Sequence, residues 1–437
     1  MELRDAIYGD IILQDNETES KIIDTFEMQR LKLIKQLGFV NFVYPCANHT
    51  RFEHSLGTRW IAQKIVTLSE LKPKDQKILY LAALIHDIAE PCFVHVTERL
   101  KKSGMMSHEE IIKIILDGSY KEKVIELKGK EFKNANFICD VLNDDELDEI
   151  KDVFLNPETD KLKELIDGYI DADNLDYLRR DAFYTGLPYG NYDDRIFSTF
   201  IQFKDDEGKE RIGFRDSSDS LNAILSVLNS RFALRKAAYL HHTSIIADEM
   251  FLKALDLAHT NEKISDYDIF ICGDLELLYK IRQQSEPAKV LIDMLLQRKL
   301  FKRAYVLDYK TPTKTKDYLN ELRENRERAN LVQRLSNASK INEDDILLGP
   351  PAPINWKDYD LIRILQSGCQ PTSLDTKICN ELHTLEHQYN TLWKFGVYLN
   401  TYSSKKANND LKNLNASCFK EFNVKSKYKV KLNYEES

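Results

Sequence analysis

Apolar residues recur every three to four positions along most of the chain, which is the spacing of amphipathic helices. The segments with this period are residues 20–36, 55–69, 74–87, 107–117, 160–181 and 217–259. Residues 197–215 instead alternate around a turn-rich centre, and this pattern predicts a β-hairpin. We therefore expect a mainly α protein with small β-hairpins and a mixed α/β C-terminal lobe.

The pattern changes near residue 305. Residues 303–309 have the alternation of a strand, residues 311–335 form a highly charged helical pattern, and a proline-rich break follows at 347–356. We place a domain boundary here, with one domain over residues 1–305 and a mostly helical lobe over residues 306–437. The lobe is expected to serve oligomerisation or regulation.

The composition is that of a globular protein, with 43% hydrophobic and 30% charged residues among 437. No window approaches about 18 consecutive apolar residues, so neither a transmembrane helix nor a membrane partner is expected. The seven cysteines include no CxxC pair, which predicts reduced thiols and a cytoplasmic location. The net charge of −8 argues against non-specific nucleic-acid binding, although basic clusters at 295–305 and 419–432 keep that partner open.

Five of the ten histidines fall between residues 49 and 108. His54 stands at the start of one helical pattern, and His86 and Asp87 end an apolar one. Neighbouring helical residues diverge by about 100°, so His86 and Asp87 can converge only on something lodged beside the helix. A divalent ion meets that requirement, and it also offsets the high cost of burying a carboxylate.

A third segment, residues 170–181, is rich in aspartate. Asp173 and Asp176 are spaced to share a helix face. Taken alone, the segment is explained at least as well by a solvated acidic helix that forms salt bridges with Arg179 and Arg180. Taken with the two imidazoles, its carboxylates complete a mixed nitrogen and oxygen set that suits Mn, Fe, Zn or Ni.

Four blocks, in this order, resemble the HD-domain deoxynucleoside triphosphate triphosphohydrolases. They are "IIDTFEMQRLKLIKQLGFVNFVYPCANHTRFEHSLG" (22–57), "ALIHDIAEPCFVH" (83–95), "DADNLDYLRRDAFYTG" (171–186) and "RFALRKAAYLHH" (231–242). The resemblance implies an HD-domain helical core in residues 1–305. It also implies metal-dependent release of inorganic triphosphate from deoxynucleoside triphosphates (dNTPs).

The resemblance further implies roles for individual residues. The metal ligands would be His54, His86, Asp87 and Asp173. Among the catalytic residues, His95 would assist attack on the α-phosphate, Glu98 would be its acidic partner, and His108 would either support it or bind phosphate. The substrate would be contacted by Gln36, Leu37, Arg51, Tyr177, Asp181, Arg231 and Tyr239. The implied cofactor is one divalent ion (Mn, Fe, Zn, Ni, Co or Mg), with additional Mg accompanying the substrate phosphates.

Several residues depart from the family pattern, and two of these departures change the charge near the phosphates. Glu90 stands where a histidine is usual, and Asn174 stands where vertebrate members have a phosphate-binding lysine. Both changes reduce positive charge around the phosphates. One alternative is therefore a nucleotidase or phosphodiesterase that acts on a different or modified nucleotide. Another is a protein that binds nucleotides or nucleic acid and whose catalysis has decayed.

The family also binds guanine nucleotides between subunits and assembles into tetramers. Asp24 and Gln29 match positions used there, whereas Lys32 and Ala237 replace arginines. We expect a homo-oligomer, either a dimer or a tetramer. A nucleotide effector at a subunit interface is a further expectation that the resemblance carries.

Overall fold

The computed structural model describes residues 1–13, 17–67, 71–97, 99, 105–156, 161–259, 264–322, 326–352, 362–365 and 372–430. Helices dominate these residues and the strands are short, so the fold is mainly α as the sequence predicts. No helix in these ranges is both long and apolar enough to cross a bilayer.

The N-terminal part begins with a two-stranded antiparallel hairpin, and helices follow it. The strands are β1 (Glu2–Asp5) and β2 (Gly9–Ile12). The helices are α1 (Thr18–Ile23), α2 (Phe26–Leu31), α3 (Arg51–Thr67), α4 (Pro73–Ile85), α5 (Val94–Thr97), α6 (His108–Leu116), α7 (Ser119–Lys128), α8 (Ile138–Val141), α9 (Asp144–Leu155), α10 (Lys161–Ile166) and α11 (Ala172–Thr185). Helix α3 packs against both α4 and α11, and these three elements position the site.

A second antiparallel hairpin follows, as the alternation at 197–215 predicts. Its strands are β3 (Phe200–Lys204) and β4 (Glu210–Arg215). The next helices are α12 (Ser218–Leu234), α13 (His242–His259), α14 (Asp266–Ile271), α15 (Asp274–Arg282) and α16 (Glu286–Leu296). A π-helical turn, Arg235–Tyr239, continues from α12, and such turns are frequent at functional sites.

The C-terminal part mixes strands and helices, as expected. Its elements are β5 (Lys302–Asp308), α17 (Thr313–Glu321), α18 (Arg326–Ser339), β6 (Ile346–Gly349), β7 (Arg363–Leu365), β8 (Thr372–Ser373), α19 (Asp375–Asn390), β9 (Lys394–Leu399) and α20 (Ala407–Phe422). Strands β5, β9 and β6 form an antiparallel sheet in that order. Strand β7 instead extends the second hairpin, β3–β4, where it pairs in parallel with β4.

Capping residues decide where several helices begin. Ser107 and Glu110 form a capping box at the start of α6. The predicted helix over 20–36 is wrong as one helix, because Thr25 adopts an extended conformation and separates α1 from α2. The predicted helix over 160–181 is divided in the same way, since Asp171 is extended and caps α11. The spacing of apolar residues does not reveal such local breaks in a helix.

Two large hydrophobic cores and one small cluster around Leu37 and Ala238 lie in the described residues. The larger core contains the helices before residue 301 and also Leu382 and Leu385 of α19. The smaller core begins at Ala304 and lies between the β5–β9–β6 sheet and helices α17, α18 and α20. The change of core falls near the predicted boundary, while α19 crosses it. The division at residue 305 therefore stays a proposal.

Candidate active site

The structure brings the four predicted metal ligands together. His54 lies on α3, His86 and Asp87 follow the end of α4, and Asp173 lies in the first turn of α11. The Nε2 atom of His54 lies 3.2 Å from Nε2 of His86 and 2.8 Å from Oδ1 of Asp173. The Nε2 atom of His86 lies 3.4 Å from Oδ1 of Asp87. One ligand atom each from His54, His86 and Asp87 lie within 4.8 Å of one another.

These distances fit a shared divalent ion. Ligand atoms about 2.1 Å from one ion lie about 3.0 Å apart at octahedral angles and about 3.4 Å apart at tetrahedral angles. The hydrogen bonds of the outer ring nitrogens also fit. Nδ1 of His86 donates to the carbonyl of Ala83 at 2.9 Å, and Nδ1 of His54 donates to Oδ2 of Asp176 at 2.7 Å. Because Nδ1 of each ring binds an acceptor outside the cluster, Nε2 of each ring faces the cluster and would bind a metal once it carries no proton.

The electrostatics of the cluster follow from the close spacing of imidazoles and carboxylates. Burial alone would lower the pKa of His54, but hydrogen bonds to Asp173 and Asp176 outweigh it and raise the pKa to about 10. Burial would raise the pKa of Asp87, yet the charges of Arg51 and the two histidines hold it well below its usual range. Asp87 is therefore ionised and ready to bind a cation.

A series of buried ionic contacts begins at Nδ1 of His54, on the side of the ring away from the cluster. The carboxylate of Asp176 accepts from Nε and Nη2 of Arg180 at 2.8 and 3.0 Å, and Arg180 Nη1 donates to Asp5 Oδ2 at 2.8 Å. Gly57 makes this arrangement possible, because a Cβ there would collide with both Asp176 and Arg180. The solvated-helix interpretation is wrong for Arg180, which is 0% exposed. Arg179 does pair with the exposed Asp194, but it is itself only 16% exposed and lies over the ring of Tyr192.

Arg51 lies beside the cluster rather than in open solvent. Its Nη1 donates to Asp87 Oδ2 at 2.8 Å and lies 4.0 Å from Glu90 Oε1. Arg51 is buried, so the two carboxylates already compensate its charge. Its predicted contact with phosphate oxygens stays a prediction. That contact would compete with Glu90 for the guanidinium.

A cavity of about 930 Å³ lies against α11 and α12. Its lining includes three of the predicted substrate contacts, Tyr177, Arg231 and Tyr239. Arg231 donates from Nε to the Tyr177 hydroxyl at 3.2 Å and from Nη1 to the carbonyl of Tyr169 at 3.3 Å. Within the described ranges, no carboxylate forms an ion pair with Arg231. The cavity therefore presents a cation that an anionic ligand could neutralise.

Asn174 is part of the same polar network, where the vertebrate lysine would stand. Its Nδ2 donates to Oδ1 of Asp171 at 2.7 Å, and its Oδ1 accepts from the Tyr177 hydroxyl at 3.1 Å. Burial and the neighbouring Asp173 raise the pKa of Asp171 well above its usual value. Asn174 thus holds Tyr177 in place and brings no positive charge.

Asp181 connects Tyr239 to a histidine without a predicted role. Asp181 Oδ1 accepts from His49 Nε2 at 2.8 Å, and Oδ2 accepts from the Tyr239 hydroxyl at 2.5 Å. The backbone N–H of Gln36 donates to the carbonyl of His49 at 3.0 Å, and Leu37 belongs to a small hydrophobic cluster against which Tyr239 packs. Oε1 of Gln36 is buried and has no hydrogen-bond partner among the residues that the structure describes. The predicted sugar contacts thus form one connected group.

Two of the three predicted catalytic side chains, those of His95 and Glu98, lie outside the described part of the chain. His95 lies within α5, and its side chain is outside the described part of the chain. Glu98 lies outside the described residues altogether. His108 is the first residue of α6, whose main packing partners are α7, α8 and α9. The roles of all three stay predictions.

Sequence reasoning missed the roles of His49, Gly57 and Arg180. His49 belongs to the cluster of five histidines, but its partner Asp181 lies 132 positions away. Gly57 is the last residue of the block 22–57. A glycine inside a helix lowers the stability of that helix, so its presence there indicates close packing against a neighbour. No local pattern marks the burial of Arg180, because its second partner Asp5 comes from the N-terminal hairpin.

Comparison with known proteins agrees with this geometry. Residues 51–147 match the family model described as HD domain, and residues 217–419 match the one described as HD associated region. An uncharacterized protein of Methanocaldococcus jannaschii is 33% identical over 309 residues, which cover 70% of this chain and 60% of that protein. The deoxynucleoside triphosphate triphosphohydrolase SAMHD1 of Homo sapiens is 26% identical over 354 residues, which cover 69% and 54%.

The chain spans about half to three-fifths of the length of the curated relatives it matches. Among solved structures, a hypothetical protein from Aquifex aeolicus is similar with a TM-score of 0.69 at 24% identity, covering 94% of this chain and 100% of that one. A phosphohydrolase from Bacteroides thetaiotaomicron has a TM-score of 0.66 at 22% identity, covering 92% and 99%. These two similarities establish the fold.

Proposed function

Because this chain belongs to the HD-domain phosphohydrolase family, we propose that it hydrolyses dNTPs to the deoxynucleoside and inorganic triphosphate. In this reaction water adds to the α-phosphorus and the bond to the 5′-oxygen breaks. The leaving 5′-oxygen takes up a proton, which gives the deoxynucleoside. The remaining three phosphoryl groups leave together as triphosphate.

The observation that carries the proposal is the position of Arg231. It is a cation on the cavity wall without a carboxylate partner in the described ranges, and its Nε is bound to Tyr177. Tyr177 lies four residues after Asp173 on α11. The cavity therefore shares this helix with the metal-type cluster, which is the set of His54, His86, Asp87 and Asp173. An anionic ligand bound at Arg231 would therefore lie close to the cluster.

Each group of residues would have its own task. His54, His86, Asp87 and Asp173 would hold the divalent ion, which when bound supplies positive charge and lowers the pKa of water. Arg231 would bind phosphate oxygens, and Tyr177, Asp181, Tyr239 and Gln36 would orient the sugar. His95, with Glu98 as its acidic partner and His108 in support, would move the proton to the leaving group.

The test is a product analysis. The purified chain is loaded with Mn²⁺, Mg²⁺, Co²⁺ or Ni²⁺ and incubated with each of the four dNTPs, and the products are separated by anion-exchange chromatography. The proposal predicts deoxynucleoside and triphosphate in equal amounts. Intact dNTPs with all four metals would contradict it.

A second candidate reaction is favoured by Glu90 and Asn174. Glu90 Oε1 lies 4.0 Å from Arg51 Nη1, and Asn174 brings no charge, so both residues reduce the positive charge that could bind phosphates. A nucleotidase or phosphodiesterase that acts on a different or modified nucleotide would need less. The same chromatography separates the two reactions, because this one releases orthophosphate or a nucleotide.

The remaining proposals concern the setting of the enzyme. We place the chemistry in residues 1–305 and assign residues 306–437 a regulatory or oligomerisation role in a cytoplasmic dimer or tetramer with a nucleotide effector. One contact supports such a role. The buried Glu249 of α13 binds Arg99, close after the helix that contains His95, and also Arg328 of α18. The C-terminal part is thereby tied to the catalytic part.

A further inference from the structure

The N-terminal hairpin reaches the metal-type cluster through three buried charges. Asp5, at the end of β1, binds Arg180, Arg180 binds Asp176, and Asp176 binds Nδ1 of the metal ligand His54. The side chains of Asp176, Arg180 and His54 are 0% exposed, and that of Asp5 is 5% exposed. The chain of contacts is therefore shielded from water, where ionic interactions are strongest.

The hairpin itself is held in one position on α3. Oδ1 of Asp5 accepts hydrogen bonds from the backbone N–H groups of Ile7 and Tyr8 at 2.8 and 3.0 Å, which fixes the turn between β1 and β2. The ring of Tyr8 stacks on Trp60 of α3, with centroids 4.2 Å apart. Asp5 thus uses one oxygen for the turn and the other for Arg180. The hairpin rests on the helix that carries His54.

Arg180 can hold Asp176 in a fixed position only if its own position is fixed. Its Nε and Nη2 bind Asp176, and its Nη1 binds Asp5, so the guanidinium is fixed from two sides. Without the Asp5 carboxylate, the buried cation would have Asp176 as its one ionic partner in the described residues and would move toward it. Asp176 would then hold the imidazole of His54 less firmly. Mutation of a carboxylate that binds the outer nitrogen of a metal-binding histidine typically lowers metal affinity or activity 10–100-fold.

We propose that Asp5 is a positioning residue for the metal centre, so that the seating of the N-terminal hairpin sets the affinity for divalent metal. This inference rests on the metal centre of the proposed function. It makes the hairpin part of the site, although no hairpin residue is among the four ligands.

The test compares Asp5→Asn with Asp10→Asn in the full chain. Asp10 lies in the same hairpin, but it is exposed and forms a solvent-exposed pair with Arg4 at 3.5 Å. Both variants and the wild type are stripped with a chelator, and Mn²⁺ binding is measured by titration calorimetry. Asp5→Asn is expected to bind Mn²⁺ about tenfold more weakly, while Asp10→Asn binds like the wild type. A wild-type dissociation constant for Asp5→Asn would overturn the inference.

A second comparison removes simple destabilisation as an explanation. Ile11→Val shortens a fully buried hairpin side chain without touching the charges. It is expected to lower the melting temperature while the Mn²⁺ affinity stays unchanged, and an equal loss of affinity would overturn the inference. If Asp5→Asn does not fold, Arg180→Lys replaces it, because it keeps the buried charge but loses the bridge. The same tenfold weakening is then expected, and unchanged affinity would overturn the inference.

The outcomes also separate this inference from the proposed function. A wild type that binds no Mn²⁺ would overturn the metal centre and the proposed reaction together. A wild type that binds Mn²⁺ and an Asp5→Asn variant that binds it equally well would overturn only the role of Asp5.

Discussion

The imidazole of His54 donates from Nδ1 to Oδ2 of Asp176 at 2.7 Å, and both side chains are fully buried. This hydrogen bond fixes the orientation of the His54 ring, because Asp176 holds Nδ1 and Nε2 therefore faces the cluster. The bond depends on the close approach of α3 and α11. Gly57 allows that approach, since any larger residue would meet Asp176 and Arg180.

Gly57→Ala is expected to destabilise the protein by about 2 kcal/mol, as overpacking of a filled interior does. It should also weaken metal binding, because the added methyl group displaces Asp176 from His54. The measurements are the free energy of unfolding in urea and Mn²⁺ titration. Ser55→Ala in the same helix is the control, because the Ser55 hydroxyl is buried without a hydrogen-bond partner in the described ranges. Equal stability of Gly57→Ala and the wild type would count against this packing argument.

Arg231→Met is expected to lower kcat/KM for the substrate about a hundredfold, since a hydrogen bond to a charged group contributes up to about 3 kcal/mol. Bound metal should be unchanged, because Arg231 is bound to Tyr177 and not to the four ligands. Steady-state kinetics and metal analysis test both points. Arg195→Met is the control, since Arg195 is exposed and pairs with Asp193 and Asp219. If the two variants had the same kcat/KM, Arg231 would not bind the phosphates.

Glu90→His is expected to keep the metal and to raise kcat/KM on ordinary dNTPs roughly tenfold, an effect of about 1.4 kcal/mol. The reason is that the Glu90 carboxylate lies 4.0 Å from Arg51 and competes with phosphate for the guanidinium. Glu90→Gln isolates the effect of charge from that of the imidazole and should raise the activity as well. Lower activity in both variants, with metal retained, would show that Glu90 takes part in the reaction.

The buried Glu27 is expected to make the protein less stable as the pH rises from about 4.5 to about 8. Burial raises its pKa from 4.5 to about 8, and hydrogen bonds from its own backbone N–H and that of Ile138 only partly oppose this. Because the folded protein holds the proton more tightly, this contribution to stability is complete below pH 4.5. It is lost as the pH rises to about 8. Each pKa unit corresponds to about 1.4 kcal/mol, so the loss is on the order of a few kcal/mol.

Glu27→Gln should therefore make the free energy of unfolding less dependent on pH between 5 and 9. Urea unfolding at pH 5, 7 and 9 measures this dependence. Glu126→Gln is the matched control, since Glu126 is exposed and pairs with Lys123. Identical pH profiles for Glu27→Gln and the wild type would rule out this origin of the pH dependence.

Local sequence could predict the roles of residues that belong to short motifs. The positions of His54, His86, Asp87 and Asp173 follow from two helix ends and an acidic turn, and the structure places all four together. The capping box of Ser107 and Glu110 is equally local, because its two residues are three positions apart.

Long-range contacts could not be predicted in this way. Arg180 resembles its neighbour Arg179 in every local respect, yet one is buried against Asp5 and Asp176 and the other pairs with the exposed Asp194. The difference comes from the face of α11 that meets α3 and the hairpin. Arg51 is a similar case, because its pairing with Asp87 depends on how α3 packs against α4.

The central claim is that His54, His86, Asp87 and Asp173 hold one divalent ion that the reaction requires. Metal analysis of purified wild type beside Asp87→Ala and Asp87→Asn, each assayed with the dNTP panel, tests it most directly. We expect one divalent ion per wild-type chain and almost none in either variant, with loss of hydrolysis in step with loss of metal. Variants that fold and keep the full metal content, or that hydrolyse dNTPs without it, would contradict the account.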